Sequence, residues 1–355
     1  MRMNHWFQRF SRSMNHILKY ISLGIFFLIL SYFFSSDFFK YHQNQQTQKV
    51  ILENSHQKLQ QLSNSSIAQV EGLEIFKTPD TWVIESIVKK IQKAQKNIYL
   101  NCYIFTEKKI RSALIDAQKR GVEVKVILEK NIFNAPNLNK KTFDMLQEAW
   151  VGVVWSSWKN FSLNHAKYIL IDDQWVISTG NYSYSNFHDK RDIFMFLKDT
   201  KILKDLRDMF LWDYQGEKKF FYEDNTLLSS FDARKKMEYL LGSAQKSISM
   251  YVPYLRDTNL TKLLLKKISS WTTVTIVSGN NNTQDSNLQE LKDAWAEVRY
   301  ISMEVHAKAF LVDDSILYVG SANFSSSSLD QNREVGLLIS NPDIIKKFWS
   351  FIGSE

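Results

Sequence analysis

Stretches with a helical period of apolar residues alternate along the chain with short apolar runs, and this order of elements occurs twice. The predicted helices fall at 82–96, 109–120 and 141–150 in the first copy and at 233–246, 260–269 and 288–295 in the second. The predicted strands that follow them fall at 98–105, 122–128 and 151–156 and at 248–255, 274–278 and 298–302. Strands that alternate with helices indicate an α/β fold in which helices cover a sheet.

The repeat is also visible in the residue types. Residues 94–98, Ala-Gln-Lys-Asn-Ile, return at 244–248 as Ala-Gln-Lys-Ser-Ile. A period of about 140 to 150 residues is too long for a solenoid and indicates two similar halves. We place the first half at 75–215 and the second half at 216–355.

The N-terminal pattern is different. Residues 21–34 carry no charge, and a span of 21–39 is long enough to cross a bilayer core. Basic residues precede the span, so the positive-inside rule predicts a basic cytoplasmic segment at 1–20, a single-pass anchor in the cell membrane and an extracytoplasmic domain. A cleaved signal peptide, which would make the protein secreted, is the alternative. Residues 40–74 are polar and amide-rich and are predicted to form a spacer.

Charge and cysteine content exclude some classes of protein. The formal net charge is +8, of which the first 50 residues contribute +5 through six basic residues and one acid, so the remainder carries +3. A mixed surface with this small excess fits an anionic substrate better than a dedicated nucleic-acid binder. The single cysteine, Cys102, excludes an intrachain disulfide and lies in an apolar run, where we expect a buried side chain rather than a catalytic thiol.

Each half carries the same series of polar residues. The first runs through His165, Lys167, Asp172, Asn181 and Asp192, and the second through His306, Lys308, Asp313, Asn323 and Glu334. The intervals from His to Asn are 16 and 17 residues, and those from His to the last acid are 27 and 28. A single His-x-Lys is most often a solvated strand face, but two copies in register indicate a function.

Each motif places its His and Lys on one face of a strand, because residues i and i+2 point to the same side. If two such strands meet across a pseudo-twofold axis, the site holds two imidazoles and two cations. The lysines would stabilise negative charge on non-bridging oxygens, and the two Asn amides would donate further hydrogen bonds. One imidazole can attack phosphorus while the other protonates the departing oxygen and later deprotonates water. This chemistry requires no metal and no cofactor.

An imidazole used in this way needs a partner that fixes its tautomer. Asp192 and Glu334 lie 11 residues beyond the Asn of each series, and we predict that they orient His165 and His306, respectively.

The earlier acid of each series has a different predicted role. Asp172 and Asp313 each begin an Asp-Asp pair between two short apolar runs, which is typical of a hairpin turn. We therefore expect these two residues to shape the motif rather than to catalyse.

The paired His-x-Lys-x4-Asp runs, with Gly320-Ser-Ala-Asn323 after the second, resemble the signature of the phospholipase D superfamily. The resemblance covers nearly everything from about residue 75 onward. It implies an α/β/α sandwich of two pseudo-symmetric halves that share one active site, and metal-independent phosphodiester chemistry through a phosphohistidine. It also implies that His165 attacks and that His306 is the acid and base. The first copy departs from the pattern, with Ser178 in place of the first glycine, and we expect activity to survive.

Three classes of function remain open within this resemblance. A membrane anchor favours phospholipase D-type hydrolysis, or phosphatidyl transfer, with the phospholipid bilayer as both anchor and substrate source. A nuclease acting on DNA or RNA is the alternative, and a binding protein without activity is disfavoured by two complete motifs. One predicted span rather than two makes a cardiolipin synthase less favoured. Both motifs lie in one chain, so the site can form in a monomer and requires no obligate protein partner.

Overall fold

The computed structural model of the chain describes residues 72–157, 159, 161–198, 200–217, 227–229 and 233–355. The predicted cytoplasmic segment, the predicted membrane span and most of the predicted spacer lie outside these residues. Among the helices that are described, none has the length and apolar character needed to cross a bilayer.

The first half alternates strands and helices as its sequence pattern predicts. Its elements are β1 (Glu74–Lys77), α1 (Thr81–Lys93), β2 (Asn97–Cys102), α2 (Lys108–Lys119), β3 (Glu123–Leu128), α3 (Lys140–Glu148), β4 (Gly152–Trp155), β5 (Lys167–Ile171), β6 (Gln174–Ser178), α4 (Tyr184–His188), β7 (Lys190–Arg191), β8 (Ile193–Leu197) and α5 (Thr200–Gln215).

The second half repeats this order. Its elements are β9 (Leu227–Ser229), α6 (Ala233–Ser243), β10 (Ser247–Tyr251), α7 (Thr258–Ser269), β11 (Thr273–Gly279), a 3₁₀ turn (Asn280–Asn282), α8 (Ser286–Asp293), β12 (Glu297–Ile301), β13 (Glu304–Val305), β14 (Ala309–Val312), β15 (Ile316–Gly320), α9 (Ser326–Asp330), β16 (Val335–Ile339) and α10 (Pro342–Gly353).

Two sheets of seven described strands have the same topology. The first runs β1-β8-β6-β5-β2-β3-β4, and the second runs β9-β16-β15-β14-β10-β11-β12. In the first sheet β2, β3 and β4 are parallel, and the hairpin β5-β6 joins them antiparallel to β2; β10, β11, β12 and β14-β15 repeat this arrangement. Equivalent strands therefore occupy equivalent places in the two sheets.

Apolar side chains fill the space between and outside the sheets. One cluster takes side chains from both sheets, including Trp175 and Leu317, together with Phe210 of α5 and Phe348 of α10. A second cluster lies between the first sheet and helices α1 to α3, and a third lies between the second sheet and α6 to α8. The sheets thus share an inner core and are covered outside by helices, which confirms a mixed α/β fold. Cys102 is fully buried, as predicted, and burial raises the pKa of its thiol to about 12.

The first turns of several helices are closed by side chains at their N-caps. Asp80 accepts a hydrogen bond from the backbone N–H of Trp82 at 2.9 Å, and Asp257 accepts one from Leu260 at 3.0 Å. These acids satisfy donors that have no partner within the helix and also oppose the positive end of its dipole. They fix where α1 and α7 begin, and hence where the strands that follow enter each sheet.

Candidate active site

The two halves exchange short backbone pairings around the histidines. The two-stranded pair of β7 with β13 is parallel and brings the backbone N–H of His306 to the carbonyl of Arg191 at 2.9 Å. In the same way, the N–H of His165 donates to the carbonyl of Arg333 at 2.9 Å. The segment before each histidine therefore lies beside the segment before the last acid of the other half.

This pairing crosses the predicted partners of the histidines. Nδ1 of His165 lies 3.0 Å from both carboxylate oxygens of Glu334, and Nδ1 of His306 lies 2.8 Å from Oδ1 of Asp192. The prediction that each histidine pairs with the acid of its own half was wrong. The physical reason is the backbone exchange. Asp192 directly follows Arg191 and Glu334 directly follows Arg333 in the chain, so each acid lies next to the histidine of the opposite half.

The carboxylate of Asp192 is fully buried and accepts hydrogen bonds from its surroundings. Thr179 donates its hydroxyl to Oδ1 at 2.7 Å, and Asn186 donates Nδ2 to Oδ2 at 2.8 Å. A Cβ on Gly180 would lie 2.7 Å from the Asp192 carboxylate carbon, so the turn leaves room only for glycine. Asp192 is thus fixed in position before it meets His306.

Glu334 occupies the equivalent place in the second half. It is also fully buried, and Ser321 donates its hydroxyl to Oε2 at 2.5 Å. Asn332 contributes Nδ2 at 3.3 Å from Oε1. The two acids therefore have equivalent surroundings: in each half, a hydroxyl and an amide donate hydrogen bonds to the carboxylate that faces an imidazole.

Both lysines are buried next to their histidines. Nζ of Lys167 donates to the carbonyl of His165 at 2.5 Å and lies 5.3 Å from the ring centroid of Tyr103. Nζ of Lys308 donates to the carbonyl of His306 and lies 2.9 Å from its Nδ1. Two buried cations thus face the same site as the two imidazoles.

The two asparagines differ in how far they are enclosed. Asn181 is buried, and its side-chain oxygen has no hydrogen-bond partner in the described structure. Asn323 is partly exposed, and its backbone carbonyl accepts from the N–H of Ser325 at 2.8 Å. Their predicted role as donors to a substrate stays a prediction.

Asp172 and Asp313 lie at the opposite ends of their strands from the histidines. Asp172 accepts hydrogen bonds from the backbone N–H groups of residues 95, 96 and 97 at 2.8 to 3.0 Å. Asp313 accepts from residues 245, 246 and 247 at 2.7 to 2.9 Å. Both residues have positive φ, at 52° and 48°, as hairpin turns require. Each carboxylate therefore ties the hairpin of its motif to the chain that enters the neighbouring strand.

Burial sets the protonation state of the imidazoles. It lowers the pKa of His165 to about 4 and that of His306 to about 3, and the carboxylate partners oppose this only in part. The two lysines add to the lowering because their positive charges disfavour an imidazolium. In the substrate-free protein both imidazoles are therefore neutral at neutral pH, with Nδ1–H donating to a carboxylate and Nε2 carrying the free lone pair.

The other charged groups of the site respond to the same burial. Burial works to raise the pKa of Asp192 and of Glu334, but hydrogen bonds from the facing imidazole and the neighbouring side chains, together with the positive lysines, lower both pKa values below their usual range. Burial lowers the pKa of Lys167 to about 8 and lowers that of Lys308 well below its usual range. An anion bound between these lysines would stabilise their charged forms.

Several residues of the site were not identified from sequence. The hydroxyls of Thr179 and Ser321 stand two residues before each Asn, a repeated position that sequence could have shown. Asn186 and Asn332 lie six and two residues before their acids, so no common register marks them. Within the described part of the chain, no group of three or more His, Cys, Asp or Glu side chains is arranged to hold a metal ion.

Two imidazoles, each oriented by a carboxylate and close to an ammonium group, can divide nucleophilic attack and proton transfer at a phosphodiester. Fold and site together define an enzyme of the phospholipase D type. The chain belongs to the family of the cardiolipin synthase, PLD-like domain, whose model matches residues 87–214 and 237–353, and so to the phospholipase D superfamily. The family resemblance of the paired motifs is confirmed.

Curated relatives carry names from phospholipid metabolism. A cardiolipin synthase from Clostridium perfringens is 26% identical over 337 residues, which cover 80% of this chain and 70% of the relative. A phospholipase D from Rickettsia bellii is 33% identical over 139 residues, covering 39% of this chain and 62% of the relative. A solved phosphatidylserine synthase from Haemophilus influenzae has a TM-score of 0.62 at 14% identity, covering 82% of this chain and 87% of that one, and shows the shared fold.

Proposed function

We propose that the protein cleaves the phosphodiester bond of membrane phospholipids and transfers the phosphatidyl group to water or to an alcohol. The observation that carries the proposal is the pair of crossed imidazole–carboxylate contacts, at 3.0 Å for His165 and 2.8 Å for His306. Relatives named cardiolipin synthase and phospholipase D support a phospholipid as the substrate. The predicted membrane anchor, on residues that are not described, would keep the domain close to that substrate.

The first step forms a covalent intermediate. Nε2 of His165 attacks phosphorus, the bond from phosphorus to the headgroup oxygen breaks, and that oxygen takes a proton from Nε2 of His306. The negative phosphate raises the pKa of the His306 imidazole on binding, because it offsets the two nearby lysines. Glu334 stabilises the positive charge that develops on His165 during attack. The product is a phosphatidyl group on His165 and a neutral headgroup alcohol.

The second step reverses the roles. His306 removes a proton from water or an alcohol, the resulting oxygen attacks phosphorus, and the bond from phosphorus to His165 breaks. His165 leaves as a neutral imidazole and His306 is protonated again. Lys167 and Lys308 stabilise the non-bridging oxygens in both steps. With phosphatidylglycerol as both donor and acceptor, the same two steps would produce cardiolipin and glycerol.

The test uses the full chain in mixed micelles of phosphatidylcholine or phosphatidylglycerol, with single-stranded DNA as a separate substrate. We expect phosphatidic acid, or cardiolipin from phosphatidylglycerol, and an acid-labile phosphatidyl adduct on the peptide that contains His165. His165→Asn should abolish the adduct, while His188→Asn, a matched histidine outside the site, should not. Cleavage of DNA without cleavage of either lipid would refute the proposed substrate, and an adduct on His306 would reverse the two histidine roles.

A further inference from the structure

The loops that follow equivalent strands differ in character between the halves. After β3, the loop of residues 129–139 exposes 81% of Phe133 and 44% of Leu138. After β11, the equivalent 3₁₀ turn Asn280–Asn282 is an all-amide sequence whose first two residues are exposed. Both loops extend from the carboxyl ends of parallel strands, the ends at which β2 and β10 also approach the His-x-Lys motifs. The two sides of the site therefore have different surroundings.

The loop of the first half that exposes Phe133 and Leu138 is fixed next to the nucleophile, and it also exposes Lys130 and three asparagines. The N–H of Phe133 donates to the Tyr103 hydroxyl at 2.9 Å, and the Tyr103 ring lies edge-on to His165 with 5.0 Å between ring centroids. Asn139, fully buried, donates Nδ2 to the carbonyls of Tyr103 at 2.7 Å and Glu129 at 2.9 Å. The hydrogen bonds of Phe133 and Asn139 therefore fix the backbone of the loop, while the Phe133 side chain stays exposed.

The loop after β10 gives the second half a polar and positively charged side. Tyr254 is partly exposed, and the guanidinium of exposed Arg256 lies 5.0 Å from its ring centroid. The N–H of Arg256 donates to the carbonyl of Phe324 at 2.9 Å, next to Asn323 of the second motif. In the first half Thr106 takes the equivalent place, since its N–H donates to the carbonyl of Tyr182, next to Asn181. At this position an exposed cation is therefore present in the second half and not in the first, although Lys130 at the start of the loop after β3 is also exposed.

We propose that the mouth of the site has two sides, with Phe133 and Leu138 contacting the acyl-glycerol part of a phospholipid and Arg256 contacting the polar headgroup or the acceptor alcohol. This inference rests on the proposed function and names how that site orients its substrate. Attack by His165 requires the leaving oxygen to lie on the opposite side of phosphorus, toward His306, which places the headgroup on the side of the second half. The acyl-glycerol part stays bonded to phosphorus, and the loop that exposes Phe133 and Leu138 lies next to His165 through Tyr103.

The test compares two substrates on the full chain. One is phosphatidylglycerol in vesicles, and the other is bis(p-nitrophenyl) phosphate, a soluble diester without acyl chains. Phe133→Ser combined with Leu138→Ser should lower the ratio of kcat/KM for vesicles to kcat/KM for the soluble diester by about tenfold or more, because apolar contact area is lost. Trp271→Ser, which removes a side chain that is 95% exposed before the amino end of β11, is the matched control and should leave the ratio unchanged.

The outcomes separate this inference from the proposed function. A ratio unchanged in the double variant, or a ratio lowered equally by Trp271→Ser, would overturn the two-sided mouth while lipid cleavage by the wild type would still stand. A wild type that cleaves the soluble diester but no phospholipid would instead overturn the proposed function. Arg256→Gln should lower kcat/KM for phosphatidylglycerol more than for phosphatidylethanolamine by at least about threefold, since the guanidinium can donate to the glycerol hydroxyls but repels the ammonium group of ethanolamine. An equal loss on both lipids would overturn the headgroup side.

Discussion

The crossed carboxylates give the most specific prediction, because Glu334→Gln and Asp192→Asn should slow different steps. Each substitution keeps the shape of a fully buried side chain and removes its charge. Glu334 holds the predicted nucleophile His165, although it lies 169 residues away in the chain. Asp192 holds the predicted acid and base His306, 114 residues away. Each variant therefore reports on the histidine of the opposite half.

The magnitude follows from the hydrogen bonds. A hydrogen bond to a charged group contributes about 1.5–3 kcal/mol, and 1.36 kcal/mol corresponds to a factor of ten in rate. We therefore expect each substitution to lower the rate of the step it supports roughly 10- to 150-fold. Loss of the Glu334 carboxylate also removes the interaction that raises the His165 pKa against the effect of burial. The pKa of His165 should therefore fall further below its present value of about 4.

Stopped-flow measurements with phosphatidyl-p-nitrophenol distinguish the two steps. Nitrophenolate leaves without a proton, so Asp192→Asn should still release one equivalent in a fast burst and then turn over slowly. Glu334→Gln should release nitrophenol slowly from the start. Asp144→Asn, which removes the charge of an exposed ion pair with Lys140 at 2.7 Å, is the control and should behave like the wild type. A burst in Glu334→Gln and none in Asp192→Asn would refute the assigned histidine roles.

Three further predictions test other parts of the site. The kcat/KM for an anionic diester should fall as pH rises, with a limb no higher than about pH 8, because burial lowers the pKa of Lys167 to about 8 and lowers that of Lys308 well below its usual range; a profile flat to pH 10 would contradict this, and Lys140→Gln should not move the limb. Asp313→Ala should lower the free energy of unfolding by about 1–3 kcal/mol in urea titrations, because three backbone N–H groups lose their acceptor. Gly180→Ala should reduce kcat sharply, since its Cβ would stand 2.7 Å from the buried carboxylate of the neighbouring acid, whereas Gly353→Ala, with open space around it, should be neutral in the same assay.

The sequence pattern was sufficient to predict the helices that have a clear helical period and the strands formed by the apolar runs after them. The six predicted helices and the strands after them are confirmed, with ends shifted by a few residues; the strand predicted at 98–105, for example, ends at Cys102. Sequence did not identify β8, β16 or the inner helices α5 and α10. The β8 segment, Ile-Phe-Met-Phe-Leu, is an apolar run that is buried along its whole length. The two inner helices pack in the core that the sheets share, a contact that no local pattern reveals.

The members of the site were predictable, but their pairing was not. Register between the copies identified the two histidines, the two lysines and the two final acids. The same register is satisfied whether an acid meets the histidine of its own half or of the other half. The choice depends on the backbone exchange of β7 with β13, and these strands are only two residues long. Strands of two residues are too short to show a period of apolar and polar positions in the sequence.

The departure at Ser178 shows which part of the motif serves packing. In the second half, Gly320 pairs with Gly336 across the sheet, and a Cβ on Gly320 would lie 2.6 Å from the Cα of Gly336. The same Cβ would also meet the phenol ring of Tyr318, two residues earlier on the strand. Both glycines therefore make room for that ring, and a side chain at either position would displace it.

In the first half the large and small residues are redistributed. Val176 stands where the second half has its tyrosine, and Phe194 stands opposite Ser178 where the second half has a glycine. The large side chain thus comes from Phe194 on β8, the opposite strand, instead of from the strand that carries Ser178. The Cβ of Ser178 is therefore accommodated. Its hydroxyl donates to the carbonyl of Gly180 at 2.7 Å and so supports the turn that leads to Asn181. The first glycine of the motif is therefore a requirement of the neighbouring tyrosine, whereas the hydroxyl that follows it is present in both halves and donates to the buried carboxylate of Asp192 or Glu334.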